Sequence, residues 1–395
     1  MCALRNRRSI PVPVDRPVLV HDGTAANLDV TTRKLAAAFY SHSRVFPLLL
    51  PVQSLLDGST RVISRLTSRR GPDAGTGQVR HSWLKLPNGE IVHPTPLFLA
   101  DIPIELRVEA GPLIKMLRQA GFSLMGVTSD AHWKISNKDE TLATAKALGL
   151  PLLRQANVLP GDTIDTAMER YETIATGGVL AWARPVIGTD GGGVRCVTSQ
   201  KELADLVRWV HETNTPVQLN EDALNISVLH PKNRNEQERL VRLDASVMYL
   251  RGVHEHHLQF GRVQAKPFLP CNTKAGAQII DDVRDVDFPE GLLEPTRRFF
   301  EAVGAPYGRG DYLRSTLSPH DPETFALLRA VDETDPRDLR GHQGLVDRFR
   351  ELQVDGPAFV CEFNAHPGLR PLGTQRFALD VAKEAIASEK YLTLP

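Results

Sequence analysis

A chain of 395 residues has room for about two to four domains and a sizeable core. Its 47 basic residues balance 47 acidic ones, which excludes the broad positive field behind nonspecific nucleic-acid or anionic-membrane binding. Hydrophobic residues at 42% and charged residues at 24% are ordinary globular usage, which excludes a largely disordered chain and leaves small-molecule chemistry as the expectation.

The start, "MCALRNRRSIPVPVDRP", is basic but lacks the apolar run of a signal peptide, and no segment approaches the length of a membrane span. Cys2, Cys196, Cys271 and Cys361 lie far apart and form no CxxC, so reduced thiols in a cytoplasmic protein are expected. "RPVLVHDG" is a β-branched run ending in a turn, and "AANLDVTTRKLAAAFYSHS" has helical spacing. "VFPLLLP" reads as a buried strand, "GEIVHPTPLFLAD" as a turn and strands, "AGPLIKMLRQAGF" as a helix and "SLMGVT" as a strand. "TSRRGPDAGTGQ" is the most loop-like stretch. This alternation predicts an α/β layer with a mostly parallel sheet over 1–130.

In "SNKDETLATAKALGLP", Asn137 sits where an N-cap belongs and Glu140 lies three residues on, predicting a helix that ends near Gly149. "GGVLAWARPV" reads as a strand, "GTDGGGVRCV" as a glycine-rich turn into another, and "SQKELADLVRWVHE" as a helix. A P-loop needs Lys then Ser or Thr after its last glycine, but Val194 and Arg195 follow Gly193; a GxGxxG begun at Gly191 ends in Cys196. What remains is a strand, loop, strand flap with Arg184 at a strand end and glycines at 188, 191, 192 and 193. Such a loop is either a plain hairpin or a cradle whose backbone N–H groups approach phosphate, with Arg184 adding charge.

Strands dominate from "PVQLN" through "RLVRLDASVMYLRG" and "GRVQAKPFL". "HEHH" at 254–257 has no partners at zinc-finger spacing and reads as a solvated segment. In "APYGRGDYLRS", alternation puts Tyr307, Arg309 and Asp311 on one strand face and Gly308 and Gly310 on the other. Arg309 and Asp311 then read as a surface ion pair or as part of a site. Residues 315–356 are charged and proline-bearing with helical pieces such as "LVDRFRELQ". In "AFVCEFNAHPGLR", alternation puts Glu362 and Asn364 on one face and Cys361 and Phe363 on the other. Paired oxygens of this kind suit a hard cation, while an edge strand with one polar face is the plainer alternative.

The order of a capped helix with a lysine, a glycine flap, an Arg-x-Asp strand and a Glu-x-Asn strand closed by Pro-Gly resembles the ATP-grasp superfamily over about 129–368. The "GRGDYL" and "CEFNAHPG" segments resemble its D-alanine–D-alanine ligase-like and RimK-like members. The resemblance implies an N-terminal pre-ATP-grasp α/β domain (1–130), a central subdomain with the glycine loop (131–216) and a C-terminal α+β subdomain (217–395). The last two would clamp ATP, with an insertion at about 315–356 as a lid or contact surface.

By the same resemblance, Lys138 and the flap of Gly191, Gly192 and Gly193 contact ATP phosphates, and Arg184 replaces the usual lysine. Gln218 and Leu219 receive adenine through backbone groups, and Asn272, Lys274 and Gly276 form a turn at the nucleotide. Asp311, Glu362 and Asn364 hold Mg²⁺, with two ions implied and Mn²⁺ as a substitute. Arg309 and Lys274 take the catalytic cation roles, and Arg370, Thr374 and Arg376 lie where the acceptor binds.

The implied reaction is ATP-dependent joining of a carboxylic acid to an amine, an amino acid or short peptide, through an acyl phosphate. ADP and phosphate would be released, in the manner of carbon–nitrogen ligases of specialised metabolism. The alternatives are phosphoryl transfer without an acyl phosphate, since this superfamily contains kinases, and nucleotide binding with activity lost, which Arg184 alone suggests. No nucleic-acid or membrane partner is implied, and a homodimer is left open.

Overall fold

The computed structural model describes residues 14–21, 30–68, 78–100, 106–122, 124, 129–178, 180–188, 193–233, 236–335, 337–365, 369, 371 and 373–392. Three sheets organise the chain. The first runs in the order β2-β1-β5-β4-β3, from β1 (Val14–His21), β2 (Leu48–Pro51), β3 (Arg61–Ser68), β4 (Gln78–Lys85) and β5 (Ile91–Leu99). Its β1 pairs in parallel with β2 and β5, whereas β4 pairs antiparallel with β5 and β3. The sheet is therefore mixed rather than mostly parallel. The cause is a hairpin, β3 and β4, on either side of the loop-like segment, in strands whose polar composition hides their pairing. Of "SLMGVT", Leu124 bridges Leu97 in parallel and the remainder lies outside the described residues.

One face of this sheet packs on α3 (Arg107–Gln119) through Leu113, Ile114 and Leu117. The other packs on α1 (Val30–Ser43) and on the final helix, which returns here from the far end of the chain.

The second sheet, β6-β9-β7-β8, is antiparallel throughout: β6 (Gln155–Val158), β7 (Ala181–Pro185), β8 (Arg195–Val197) and β9 (Val217–Glu221). It is covered by α6 (Ile164–Ile174) and α7 (Gln200–Thr213), whose buried Leu203, Leu206, Val207 and Val210 repeat at helical spacing. Between the first two sheets run α4 (Ser129–Ser136) and α5 (Lys138–Ala147). Asn137 caps α5, accepting from the backbone of Asp139 and Glu140, and Gly149 beyond its end has φ +67, as the cap pattern predicts.

The third sheet is β13-β12-β11-β14-β15 with β10 also on β11, all antiparallel. Its strands are β10 (Ile226–Leu229), β11 (Arg239–Leu250), β12 (His256–Gln264), β13 (Gln278–Ile280), β14 (Tyr307–Arg314) and β15 (Ala358–Asn364). One face is buried on α4, α5 and α8 (Leu293–Val303) around Phe299, Phe300 and Phe363. The segment "HEHH" enters β12 at His256, whose ring packs on Phe377, while His257 is exposed. Among the described residues no group of three His, Cys, Asp or Glu is arranged to hold a metal, and no helix is long and apolar enough to cross a membrane.

Residues 315–356 form α9 (Pro322–Glu333) and α10 (Leu339–Leu352), a helical pair packed on β10 and β11 through Leu327, Leu328, Val346 and Phe349. Thr316 pins its start, its hydroxyl lying 2.9 Å from the Leu224 carbonyl and 2.7 Å from that of Ile226. The apolar stripes of both helices are spent on this core, so the segment is wall rather than lid. The chain closes with α11 (Thr374–Leu392), held to α1 by Lys34, which donates to Thr374 Oγ1 at 2.8 Å.

Phe349→Ala removes a ring with no solvent exposure from the seam between the insertion and β11. We expect a loss of about 3–5 kcal/mol in denaturant unfolding. A loss under about 1 kcal/mol would show that the insertion is not part of the core.

Candidate active site

The site is built on neighbouring strands. In the β14–β15 ladder Asp311 lies opposite Glu362, and Arg309 opposite Asn364. The glycines that alternate with them are a packing requirement: a Cβ at Gly308 would sit 2.2 Å from the Phe300 ring, so only glycine lets the aromatic layer close beneath the strand. That leaves Arg309 and Asp311 on the opposite face. The register shifts by one residue between Asp311 and Tyr312, which pairs with Val360, making Cys361 a bulge. Strict alternation fails there. Val360 and Phe363 both enter the core, and Cys361 joins Glu362 in lining the cleft instead of sharing the face of Phe363.

Asp311 is fully buried and accepts from Ser246 Oγ at 2.6 Å, while Arg309, Arg262 and the Asn364 amide approach its other oxygen at 3.0, 3.3 and 3.3 Å. The same amide lies 3.2 Å from Glu362 Oε1, so the three proposed ligands converge on one point. Two carboxylates and an amide carbonyl are oxygen donors of the kind magnesium takes; here Asn364 turns its Nδ2 to both carboxylates, and a half-turn of the amide would bring its oxygen to the same point. The Nε atoms of Arg262 and Arg309 are buried with no hydrogen-bond partner among the described residues. Orphaned buried donors are costly, and an anion in the cleft would satisfy them.

Across the cleft, Lys138 stands at the first position of α5, its backbone N–H on the Val186 carbonyl at 3.1 Å and its ammonium on the Gly188 carbonyl at 3.1 Å. Arg184, also buried, clasps the second sheet to the third. Its fork donates to Gln218 Oε1 at 3.1 and 2.8 Å, and Nη1 donates to the Cys361 carbonyl at 2.8 Å. Gly193 has φ +75, and a Cβ there would meet Pro185 at 2.8 Å, so the end of the flap admits only glycine. Gly191 and Gly192 lie outside the described residues, as does Arg370.

Burial pushes the Glu362 carboxyl up, but Lys138, Arg184, Arg309 and Arg262 together outweigh it and hold the pKa at about 2. Asp244, opposite Arg262 in the β11–β12 ladder, is pushed up to about 7: burial is the largest cause, opposed by Arg262 and reinforced by Asp311 and Glu362. The Cys361 and Cys196 thiols rise to about 12, chiefly by burial, and so are poor nucleophiles.

The cleft, ≈ 920 Å³ out to its mouth, brings together Lys138, Arg184, Asn272 and Glu362. Asn272 accepts from the backbone of Ala275 and caps a single 3-10 turn, Thr273–Ala275. Lys274 is exposed on that turn, and Gly276 ends it at φ +87. Arg376 is exposed on α11 and does not line the cleft; Thr374 is buried beneath Lys34.

The hinge needs correction. Strand β9 is interior to its sheet, so the backbone of Gln218 and Leu219 is taken up by β6 and β7, and Leu219 is core. The segment that lines the cleft is the strand's exit, with Asn220, Glu221 and Asn225. Missed in the sequence were Arg262 and Asp244, and the buried Arg242. That guanidinium grips Asp222 at 3.0 and 2.6 Å, and Trp182 Nε1 donates to Asp222 at 2.6 Å. Two charges two residues apart, Arg242 and Asp244, inside a mostly apolar strand were the available signal.

No protein-family model and no curated protein matches the sequence. Solved structures do. D-alanine–D-alanine ligase from Bacillus anthracis complexed with ATP is 11% identical with a TM-score of 0.52, over 95% of this chain and 99% of that one. D-alanyl-alanine synthetase A from Vibrio cholerae is 11% identical with a TM-score of 0.53, over 95% and 99%. The fold is ATP-grasp. The Coxiella burnetii D-alanine–D-alanine ligase is again 11% identical, at 0.53 over 96% of both chains, so the ATP-grasp likeness extends through the N-terminal sheet as well.

A carboxylate held at about 2, below its ordinary 4.5, stabilises the folded state fully above about pH 4.5 and loses that contribution as pH falls toward 2. Without nucleotide and in chelator, Glu362→Gln should therefore cost about 1–3 kcal/mol at pH 7, with the gap narrowing below about pH 4.5. Melting curves across pH 7 to 3.5 check this; a variant as stable as the parent at pH 7 contradicts it.

Proposed function

We propose that the protein is a cytoplasmic ATP-dependent carboxylate–amine ligase that couples a carboxylic acid to an amino acid or short peptide through an acyl phosphate. The observation that carries this is the convergence of Lys138, Arg184, Arg262 and Arg309 on Glu362, beside Asp311 and Asn364, in a cleft of an ATP-grasp fold. Four cations suit a triphosphate, and three oxygen donors suit its metal.

Lys138 and Arg184 hold the phosphate chain, with the glycine flap, including Gly191, Gly192 and Gly193, lending backbone N–H groups above it. Arg309 and Arg262 turn their unmet Nε–H groups to the phosphoryl group in transfer and to the tetrahedral oxyanion that follows. Asp311, Glu362 and Asn364 hold magnesium; when bound it neutralises charge on the phosphates. Lys274 on its exposed turn is assigned as a further catalytic cation beside Asn272, and Arg370 as an acceptor-side residue.

The substrate carboxylate attacks the γ-phosphorus, ADP leaves, the amine attacks the acyl phosphate, and phosphate leaves with an amide formed. No side-chain nucleophile is needed, in keeping with thiols pushed up to about 12. Catalysis rests on position and charge.

Turnover of ATP with paired acid and amine libraries should give ADP, phosphate and an amide mass. AMP and pyrophosphate would overturn the acyl-phosphate route, and a phosphorylated product without amide would make the protein a kinase.

Arg184 tests the cleft from the other side. Lysine there keeps the charge but loses the fork onto Gln218 and Cys361, so Arg184→Lys should retain turnover at a cost of about 1–3 kcal/mol in stability. Arg184→Ala should raise the KM for ATP by tenfold or more. Unchanged ATP kinetics in the alanine variant would remove Arg184 from the phosphate site.

A further inference from the structure

We propose that a second cavity, apart from the nucleotide cleft, binds a free α-amino acid with an aliphatic side chain and through it biases the Asn272–Gly276 turn. The cavity, ≈ 570 Å³ out to its mouth, lies at the end of the third sheet where β11 begins and β12 ends, closed by α9 and the first turn of α10. Its wall is apolar, with Leu229, Val263 and Val331, and its polar members include Arg239, Lys266 and His342.

His342 is 8% exposed, and its Nε2 has no partner among the described residues. The Asp335 backbone favours the protonated ring, and Nε2, buried without a partner, is the ring atom a ligand would meet. Burial first, then Arg239, lower the pKa of this histidine, so it is neutral near pH 7 and offers an acceptor. A ligand N–H would meet it. The Arg239 side chain makes no hydrogen bond or ion pair with described residues, and Lys266 gives one bond to the Asp332 carbonyl, leaving two ammonium protons.

Two cations, one lone-pair acceptor and an aliphatic wall match the carboxylate, the amino group and the side chain of one small molecule. Inorganic phosphate would leave Nε2 unmet. A simple amine would bring no carboxylate to Arg239 and Lys266, and the acidic groups near His342, Asp335 and Asp338, belong to the chain itself.

Gly276 and Gln278 line this cavity, whereas Asn272 lines the nucleotide cleft, so the turn between them is a shared wall. Gln264 ties it down, donating to the carbonyls of Pro270 at 3.3 Å and Ala275 at 2.8 Å. Occupancy of one side can then favour one position of the turn on the other, and the coupling must be reciprocal. The coupling rests on the reading above, that the turn serves the nucleotide; the binding does not.

The test is calorimetric titration of the full chain, without turnover, using L-leucine, isovalerate, isoamylamine and inorganic phosphate as probes. L-Leucine should bind saturably and the other three at least tenfold more weakly. Lys266→Met should weaken L-leucine binding tenfold or more, and Ala265→Trp, at an exposed position on the cavity rim, should block it while leaving the melting curve in place. A nonhydrolysable ATP analogue should not displace L-leucine, but its affinity should change several-fold in L-leucine.

Absence of saturable binding, or binding undiminished in both variants, overturns the site. Displacement by the analogue moves the ligand into the cleft and overturns it too, while binding with unchanged analogue affinity overturns the coupling. Because no ATP is consumed, a wrong reading of the reaction would show in the products of turnover and leave these titrations unaffected.

Discussion

Everything in the cleft follows from the need to keep four cations together in a folded chain before any phosphate arrives. Lys138, Arg184, Arg262 and Arg309 come from α5, β7, β12 and β14, and none could be buried near the others without an anion between them. Glu362 is that anion, with Asp311 pinned behind it and Asp244 beside Arg262. The carboxylates whose oxygens suit a metal are thus also the counter-ions of the cationic cluster, which is held together by the chain's own charges.

The third sheet supplies this arrangement by using one face for two purposes. Along β11, Met248 and Leu250 pack with Phe98 and Phe377 against the N-terminal sheet and α11, while Ser246, Asp244 and Arg242 on the same face turn polar. Strand β14 repeats the change, from Tyr307 in that core to Arg309 and Asp311 in the site. The N-terminal unit is therefore not an appendage. It covers the apolar half of the face whose other half carries the polar cluster of the candidate site, and α11 locks it there by returning to α1.

How much of this was legible depended on whether local pattern or distant pairing decides the outcome. The Asn137 cap, the amphipathic α7 and the Arg-x-Asp and Glu-x-Asn strands are local, and the chain shows them where the residues stand. The β3–β4 hairpin was hidden because its stabilising partners lie across the sheet rather than along the strand. Cys361 was misplaced because a bulge is a property of two strands in register, invisible in one. Gln218 and Leu219 were misread for the same reason: whether a strand's backbone is free depends on who sits on either side of it. Arg262 pairs with Asp244 across a ladder and with Asp311 two strands away, so no spacing announces it.

At the cleft, the second sheet meets α5 and the third sheet through polar contacts, while Leu180 and Cys196 share an apolar core with Ile226 and Leu240 farther along. Arg184 reaches the Cys361 carbonyl, Lys138 reaches Gly188, and Gln218 donates to Asp139 at 3.0 Å. Each of these bonds can be replaced by one to phosphate or water at small net cost, unlike the aromatic layer of Phe299, Phe300 and Phe363 beneath β14. Farther back, the Arg242–Asp222 pair with Trp182 joins the same two sheets through groups almost wholly buried, where a broken bond would strand a charge. The two ends of the cleft thus differ in kind: exchangeable polar bonds around Arg184 and Lys138, and a buried ion pair at the strand exit, residues 221–225.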